Sequence, residues 1–241
     1  MSILITSGGT KIKIDRVRHI GNMSSGTFGS KIAEEALRGD QEVVFFRAEN
    51  SKSPFSFNVN LENEASLTRF YNSLAFWKKK RHLYNEATYS TFEDYMTGLK
   101  KLIEQHQPTM IVLAAAVSDY GVANFVDGKI RSKDSELSIQ LKALPKVISK
   151  VRSWAPNAYL IGFKLLVDSS DDDLISDAKK SITENDCDMI VANDLRDIKN
   201  DAHRLIILKK KDLTPRIYTS LREDPNYLAR AILTESTKGN A

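Results

Sequence analysis

The residues with the clearest chemical potential form the segment 22–29, Asn-Met-Ser-Ser-Gly-Thr-Phe-Gly. It follows a strand-like opening and a glycine turn, and it leads into a helical pattern. This combination predicts a phosphate site, because the first helical N–H groups have no partner within the helix and the helix dipole attracts anions. Gly26 and Gly29 would let a phosphate approach the backbone. The spacing matches neither the dinucleotide fingerprint nor the Walker loop. A helix cap by Ser24 or Ser25, with a packing glycine, is the alternative interpretation.

Two later loops each contain a charged side chain that could take part in binding or converting an anionic substrate. Three alanines at 114–116 end an apolar run, so a ligand could approach the backbone there. Asp119 follows, where a carboxylate can bind Mg²⁺ or accept hydrogen bonds from a substrate. Lys129 lies in a polar loop, from which a lysine could neutralise charge developing on a phosphate or a carboxylate. A turn-capping aspartate and an exposed basic loop are the structural alternatives.

Another group of candidates comes late in the chain. Phe163 and Asn193 each end a predicted strand, and Lys179 and Lys180 lie on the helix between those strands. An aromatic ring can stack on a base, lysines can bind phosphates, and an asparagine amide can both donate to and accept from a base edge. Taken singly, each has an ordinary structural alternative in the core, on a solvated helix face or in a turn.

Composition excludes several classes of protein. With 241 residues, of which 41% are hydrophobic, the chain can form a substantial core, and 1–241 is interpreted as a single domain. The net charge of +4 and the pI near 9.0 are mildly basic, which suits anionic small molecules. The basic clusters 78–81 and 209–211 lack interleaved aromatic residues, so they are interpreted as solvated faces and not as a nucleic-acid surface.

Cysteine usage and hydropathy indicate the compartment. Cys187 is the only cysteine, so no intrachain disulfide is possible, and a buried thiol in a reducing cytoplasm is expected. The four histidines have no metal-ligand spacing. No apolar run approaches the roughly 20 residues of a membrane span, and the chain opens in a strand pattern without a signal peptide. We therefore expect a cytoplasmic protein without a membrane or nucleic-acid partner.

The alternation of strand and helix patterns predicts an α/β fold with a doubly wound, mostly parallel, Rossmann-like sheet. Ligands of such sheets bind at the carboxyl ends of the strands, near a topological switch point. The stretch 48–90, with a weak helical run at 64–77, is interpreted as an elaboration of the sheet. The alternating stretch 136–141 is interpreted as part of a small antiparallel extension. Predicted strands are 2–6, 42–47, 109–115, 136–141, 158–163, 188–192 and 204–209, and predicted helices are 25–38, 91–106, 144–154, 171–184 and 219–236.

Taken together and in this order, the motifs resemble those of the phosphopantothenate–cysteine ligase family, and the resemblance covers most of the chain. Because the chain begins at the ligase motifs, we expect a stand-alone ligase without a fused flavin-dependent decarboxylase. The motifs are Thr-Ser-Gly-Gly-Thr at 6–10, Val-Arg-His-Ile-Gly-Asn-Met-Ser-Ser-Gly at 17–26, Ala-Ala-Ala-Val-Ser-Asp-Tyr at 114–120, Lys-Ile at 129–130, Gly-Phe-Lys-Leu at 162–165 and Val-Ala-Asn at 191–193.

The resemblance implies a two-step reaction of coenzyme A biosynthesis in a homodimer with sites near the interface. A nucleoside triphosphate, with Mg²⁺, activates the carboxylate of 4′-phosphopantothenate as an acyl-nucleotide and releases pyrophosphate. The amine of L-cysteine then forms the amide and releases the nucleoside monophosphate. A mixed anhydride splits one difficult acyl transfer into two easier steps.

The resemblance also implies roles for individual residues. Asn22 contacts the carboxylate and the acyl intermediate, Lys129 supplies catalytic charge, and Arg18 reaches the substrate phosphate of a partner subunit. The metal ligands are left unassigned. The other residues divide into a pantothenate side, with Ala115, Ala116 and Asp119, and a nucleotide side, with Gly8, Ser24, Ser25, Gly26, Gly29, Phe163, Lys179, Lys180 and Asn193.

The nucleotide is CTP or ATP, and CTP is favoured slightly. Bacterial two-domain family members use CTP and have a basic helix facing the triphosphate, of which this chain keeps Lys179 and Lys180. The motif at 162–165 and the insertion at 48–90 are closer to the eukaryotic type, whose members can use ATP. The rival hypotheses are a Rossmann-like oxidoreductase and a nucleotide sensor or nucleic-acid-binding module. An oxidoreductase predicts an acidic residue at the end of the second strand, where this sequence has Arg47.

Overall fold

The central sheet has eight strands in the order β12-β11-β10-β9-β6-β1-β4-β5. This arrangement comes from a computed structural model that describes residues 2–56, 59–131, 136–199 and 203–238. The strands are β1 (Ser2–Ser7), β2 (Lys11–Lys13), β3 (His19–Gly21), β4 (Glu42–Ala48), β5 (Tyr84–Tyr89), β6 (Met110–Leu113), β7 (Tyr120–Val122), β8 (Leu141–Ala143), β9 (Tyr159–Leu166), β10 (Met189–Asp194), β11 (Arg204–Lys209) and β12 (Asp212–Thr219). The helices are α1 (Thr27–Arg38), α2 (Glu64–Lys80), α3 (Phe92–His106), α4 (Ile148–Trp154), α5 (Asp171–Asn185), α6 (Leu195–Lys199) and α7 (Tyr227–Thr237), with a 3₁₀ turn at Arg81–Leu83.

The sheet is parallel from β5 to β10, and β11 and β12 continue it antiparallel. From β1 the chain first builds outward through β4 and β5, and then returns to add β6, β9 and β10 on the other side. The strand order therefore reverses between β1 and β6, which creates a crevice at their carboxyl ends. The predicted α/β class and the mostly parallel, doubly wound sheet are confirmed.

Two hydrophobic layers cover the sheet because neighbouring strand residues point to opposite faces. Along β1, Ile3 and Ile5 pack with residues of α1 and α7 on one face. Leu4, between them, packs with residues of α3, α4 and α5 on the other face. Both faces of the central parallel strands β4, β1 and β6 are thus buried, as their continuous apolar runs predict.

Some predicted boundaries are wrong. The predicted strand 136–141 is not formed over 136–140, and three residues at 141–143 pair instead with β7 in a two-stranded antiparallel sheet. The predicted helix 219–236 begins only at Tyr227, because Thr219 ends β12 at the sheet edge and residues 220–226 form a turn. Pro215 within β12 weakens its strand signal, yet an edge strand tolerates a residue that cannot donate a ladder hydrogen bond.

The stretch 48–90 is an elaboration of the sheet, as predicted. It supplies α2 and also β5, an edge strand that pairs parallel with β4. The strand was not predicted, because its sequence Tyr-Asn-Glu-Ala-Thr-Tyr is mostly polar. Its carboxyl end lies beside those of β4 and β1, so the elaboration adds a wall to the crevice.

Candidate functional site

The loops that follow β1 and β6 are joined by backbone hydrogen bonds. The Ala116 N–H donates to the Gly8 carbonyl at 2.8 Å, and the Thr10 N–H donates to the Ala116 carbonyl at 3.1 Å. The alanine loop and the first glycine turn are therefore neighbours, although about a hundred residues separate them in sequence. This is the grouping that the sequence predicts for the switch point.

Asn22 is held at this junction by two buried hydroxyls. Ser118 donates its O–H to Asn22 Oδ1 at 3.3 Å, and its N–H donates to Thr10 Oγ1 at 2.9 Å. The two hydroxyl oxygens are 2.9 Å apart. Because Ser118 uses its one hydroxyl proton on Asn22, Thr10 must donate to Ser118. Asn22 Oδ1 is thus satisfied, and its Nδ2 makes no hydrogen bond within the described residues, so this amide group can donate to a ligand. Neither hydroxyl was predicted from the sequence.

Asp15 joins the loop of Arg18 to the loop of Lys129. Its carboxylate is 1% exposed and accepts hydrogen bonds from the N–H groups of Val17 at 2.8 Å, Arg18 at 2.7 Å and Ile130 at 3.1 Å. It also pairs with Arg18 Nη1 at 2.8 Å. Burial raises the pKa of Asp15, but these backbone hydrogen bonds and the guanidinium outweigh burial and lower it below its ordinary value. One carboxylate therefore joins the loops of both candidate cations, Arg18 and Lys129. This role of Asp15 was not predicted from the sequence.

The first turn of α1 leaves its N–H groups open to an anion. Its N-cap, Gly26, offers no side-chain cap, and the turn contains no acidic residue. A weak contact joins the Thr27 N–H to Ser25 Oγ at 3.4 Å. By contrast, α3 and α5 begin with complete capping boxes. Open donors and the positive end of the helix dipole together make this terminus suitable for phosphate.

The glycines of the first loop have a packing role in addition to any ligand contact. A Cβ on Gly8 or Gly26 would lie 2.7–2.8 Å from the Ser51 Cβ, and one on Gly29 would lie 2.5 Å from Ser7 Oγ. Gly8 and Gly26 also have φ values of 86° and 73°, which side chains other than glycine rarely adopt. The close packing around the start of α1 therefore requires glycine at these positions. The contact of these glycines with a nucleotide stays a prediction.

Phe163 and Asn193 lie on the face of the sheet that α1 covers. The Phe163 ring meets the Phe28 ring edge-on, with 5.8 Å between centroids, and Phe28 lies 5.1 Å from the His203 ring. Asn193 is two residues beyond Val191, which packs in the α1 layer. Burial lowers the pKa of His203. An aromatic cluster therefore lies near the start of α1, and the assignment of Phe163 and Asn193 to the nucleotide stays a prediction.

Lys179 and Lys180 are not part of this grouping. They are exposed on α5, which packs on the opposite face of the sheet from α1, and Lys180 pairs with Glu184 at 3.8 Å. Lys164, on the same face, pairs with Asp177 at 3.0 Å. The assignment of Lys179 and Lys180 to the nucleotide stays a prediction.

A cavity of about 270 Å³ opens beside Asn22, between the β2–β3 hairpin and the ends of β4 and β5. Asn22 forms part of its wall. The lining also contains three residues with ionisable side chains, Lys11, His19 and Glu49. Most of the remaining lining is small or polar. A ligand in this cavity would therefore contact the same asparagine that faces the β6 loop.

Other sequence predictions concern residues outside the site. Cys187 is fully buried, and burial raises the pKa of its thiol to about 12, which agrees with a core position. The basic clusters are only partly solvated, since Lys80 is buried against Asp40 and Lys209 pairs with Glu235 at 3.0 Å. Among the described residues, no group of three His, Cys, Asp or Glu side chains could hold a metal, and no helix is long and apolar enough to cross a membrane.

The fold and the site define a Rossmann-like α/β protein with a crevice at its switch point. A profile described as the DNA/pantothenate metabolism flavoprotein C-terminal domain matches residues 1–72 and 90–237, so the chain belongs to this family. The family agrees with the resemblance read from the motifs.

Related proteins are similar to this chain over most of its length. It is 29% identical over 232 residues to the coenzyme A biosynthesis bifunctional protein CoaBC of Thermococcus kodakarensis, which covers 92% of this chain and 51% of that protein. It is 30% identical over 253 residues to the phosphopantothenate–cysteine ligase of Mus musculus, which covers 92% of this chain and 79% of that protein. The chain thus spans about half of the bifunctional relative and most of the mouse ligase.

Solved structures share the fold. The DNA/pantothenate metabolism flavoprotein from Streptococcus pneumoniae superposes with a TM-score of 0.77 at 28% identity, over 98% of this chain and 97% of that chain. A Cab2 variant in complex with phosphopantothenate-cysteine superposes with a TM-score of 0.85 at 22% identity, over 98% and 86%. The second likeness supports the architecture only.

Proposed function

We propose that the protein is a phosphopantothenate–cysteine ligase of coenzyme A biosynthesis, acting through an acyl-nucleotide formed from CTP or ATP. The observation that carries this proposal is that Asn22 and the loop from Ala115 to Asp119 meet at the switch point through Ser118, while Asp15 joins the loop of Arg18 to the loop of Lys129. Membership of the family and the names of the relatives support the same reaction.

In the first step, a carboxylate oxygen of 4′-phosphopantothenate attacks the α-phosphorus of the nucleotide. A P–O bond forms, the bond to the β-phosphate oxygen breaks, and pyrophosphate leaves. The Asn22 amide donates to the carboxylate and orients it. The N–H groups of α1 and the Lys129 ammonium offset the negative charge that two anions bring together.

In the second step, the amine nitrogen of cysteine attacks the acyl carbon. The C–N bond forms, the C–O bond to the nucleotide breaks, the nitrogen loses a proton, and the nucleoside monophosphate leaves. Ser118 and Thr10 keep Asn22 in place through both steps. The base is proposed to stack near Phe163, with Asn193 at its edge.

Mg²⁺ is proposed to enter with the triphosphate. The described residues offer no complete set of protein ligands, but Mg²⁺ in nucleotide sites needs only one or two carboxylates beside phosphate and water. Asp119 is exposed next to the alanine loop and fits that requirement. When bound, the ion neutralises negative charge on the phosphates.

We also propose that the active form is a two-fold homodimer. Val17 is 62% exposed and Met23 fully exposed, on either side of Arg18 and Asn22, and Phe125 is 49% exposed on the facing loop. Apolar side chains displayed around a candidate active-site arginine suit a surface that a second copy covers. Arg18 would then reach a phosphate held by the partner.

The reaction is tested by pyrophosphate release from purified protein with Mg²⁺. Release should require both 4′-phosphopantothenate and a nucleotide, and cysteine should then yield phosphopantothenoylcysteine. Parallel assays with CTP and with ATP identify the nucleotide that the protein uses. Absence of product in both arms would exclude the ligase.

The dimer is tested by complementation. Arg18→Ala and Asn22→Asp should each be inactive alone, and mixing and reassembling the two should restore about a quarter of wild-type activity, because half of the dimers are mixed and each has one intact site. A fully active monomer in light scattering would contradict the proposal.

A further inference from the structure

We propose that the cavity beside Asn22 binds the amino-acid substrate, with Lys11 and His19 facing its α-carboxylate and Glu49 facing its α-ammonium. This inference rests on the proposed ligase function and adds the site of the second substrate, for which neither the motifs nor the family assignment names residues.

The position of the cavity suits a second substrate. Its walls come from the carboxyl ends of β1, β4 and β5 and from the hairpin of β2 and β3, so it lies on one side of Asn22. Ser118, which donates to Asn22, and the alanine loop after β6 are not among the residues that line it. An acyl group oriented by Asn22 would therefore be open to attack by an amine that occupies the cavity.

The charges of the lining match a zwitterion. Lys11 and Glu49 both line the cavity, with His19 from the opposite strand of the hairpin. Throughout the described part of the chain, none of these three side chains makes an ion pair or a side-chain hydrogen bond. Opposite charges that line one small cavity without pairing can each accept a group of opposite sign from a ligand.

Other ligands of the reaction fit the cavity less well. A triphosphate would place its negative charge beside the Glu49 carboxylate, which is unfavourable. The pantoyl group carries two methyl groups, and Ala48 and Tyr89 are the apolar residues among a lining that otherwise consists of polar residues and glycine. The aromatic rings of Phe28 and Phe163, which suit a base, lie in the α1 layer and do not line the cavity. A small amino acid satisfies both the volume of about 270 Å³ and the charges.

The test separates the two half-reactions. Pyrophosphate release without cysteine reports the first step, and the KM for cysteine in the full reaction reports the cavity. Lys11→Met and Glu49→Gln should each raise the KM for cysteine by roughly tenfold to a hundredfold, the usual effect of losing one charged hydrogen-bond partner, and leave pyrophosphate release unchanged. Lys13→Met, on the same strand but outside the lining, and Glu42→Gln are the matched controls.

Cysteamine, which lacks the α-carboxylate, distinguishes the two charges. Lys11→Met should reduce kcat/KM for cysteine and not for cysteamine, whereas Glu49→Gln should reduce both. An unchanged KM for cysteine in either variant overturns the proposal, and so does an equal loss of pyrophosphate release, which would assign the cavity to the first step. A wild-type protein that releases no pyrophosphate would instead refute the ligase function itself.

Discussion

Asn22→Asp is the substitution that probes the proposed chemistry most directly. It keeps the size of the side chain and the oxygen that accepts from Ser118, while it replaces the free amide donor with a second oxygen and adds a negative charge. The substrate carboxylate that Asn22 should orient is itself an anion. The variant therefore turns one favourable contact into a repulsive one.

The size of the effect follows from the geometry of a direct contact. Two unit charges about 4 Å apart repel by about 4 kcal/mol at an effective dielectric constant near 20, and by about 1 kcal/mol in bulk water. Loss of the amide hydrogen bond adds about 1 kcal/mol. The sum of roughly 2–5 kcal/mol corresponds to a fall in kcat/KM of roughly 30- to 4,000-fold.

The assay is pyrophosphate release with 4′-phosphopantothenate as the varied substrate. Asn22→Ala removes the donor without adding charge, so the ratio of Asn22→Asp to Asn22→Ala isolates the electrostatic part. Asn72→Asp, on the exposed face of α2, adds the same charge away from the site. An Asn22→Asp variant within threefold of wild type, or an Asn72→Asp variant with an equal loss, would refute the assignment of Asn22.

Three further predictions follow from other contacts. Lys129→Gln should lower kcat by roughly 10²–10³-fold with a smaller change in the KM for the nucleotide. The control, Lys79→Gln, should change neither constant. A normal kcat in Lys129→Gln would mean that Lys129 is an ordinary surface residue. Asp15→Asn should lower kcat in the wild-type background but much less in a Lys129→Gln background, because Asp15 positions Lys129 through the N–H of the next residue, Ile130. Asp127→Asn, at an exposed carboxylate, is the control. Additive losses in the double variant would contradict the coupling. Burial raises the pKa of Glu235, but hydrogen bonds from Lys238, Lys209 and Tyr218 bring it to about 2. The pKa of Glu235 in the folded protein lies below the ordinary value of 4.5, so its carboxylate stabilises the fold fully above pH 4.5. About 3 kcal/mol of the free energy of unfolding should be lost as the pH falls from 4.5 toward 2. Urea midpoints of wild type and Glu235→Gln between pH 6 and pH 3 measure the loss, and parallel curves would contradict it.

Much of the architecture could be predicted from local pattern. The runs that form β1, β4, β6, β9 and β10 are apolar without alternation, which indicates parallel strands covered on both faces. β5 and β12 escaped prediction because edge strands bury fewer residues and tolerate polar side chains and proline. The three-residue strand β8 was displaced from its predicted position, since a short exposed pairing leaves little hydrophobic signal in the sequence.

The site divides in the same way. Asn22, Ala115, Ala116 and Asp119 were proposed from the sequence because their motifs are distinctive, and the structure brings the loops that carry them together. Asp15 could not, since an aspartate in a polar loop resembles any turn residue until its four donors are known. Ser118 and Thr10 gain their roles only from each other, across more than a hundred residues.

The sequence by itself determined the buried strands β1, β4, β6, β9 and β10, the loop that precedes the first helix, and the family to which the chain belongs, because these depend on residues close together in the chain. Only the tertiary structure decided that Lys11 and Glu49 line one cavity with Asn22, and that Lys179 and Lys180 lie on the opposite face of the sheet. The physical reason is that parallel strands bring their carboxyl ends to a common edge whatever their distance in sequence, while the layer in which each helix packs decides which side chains reach that edge.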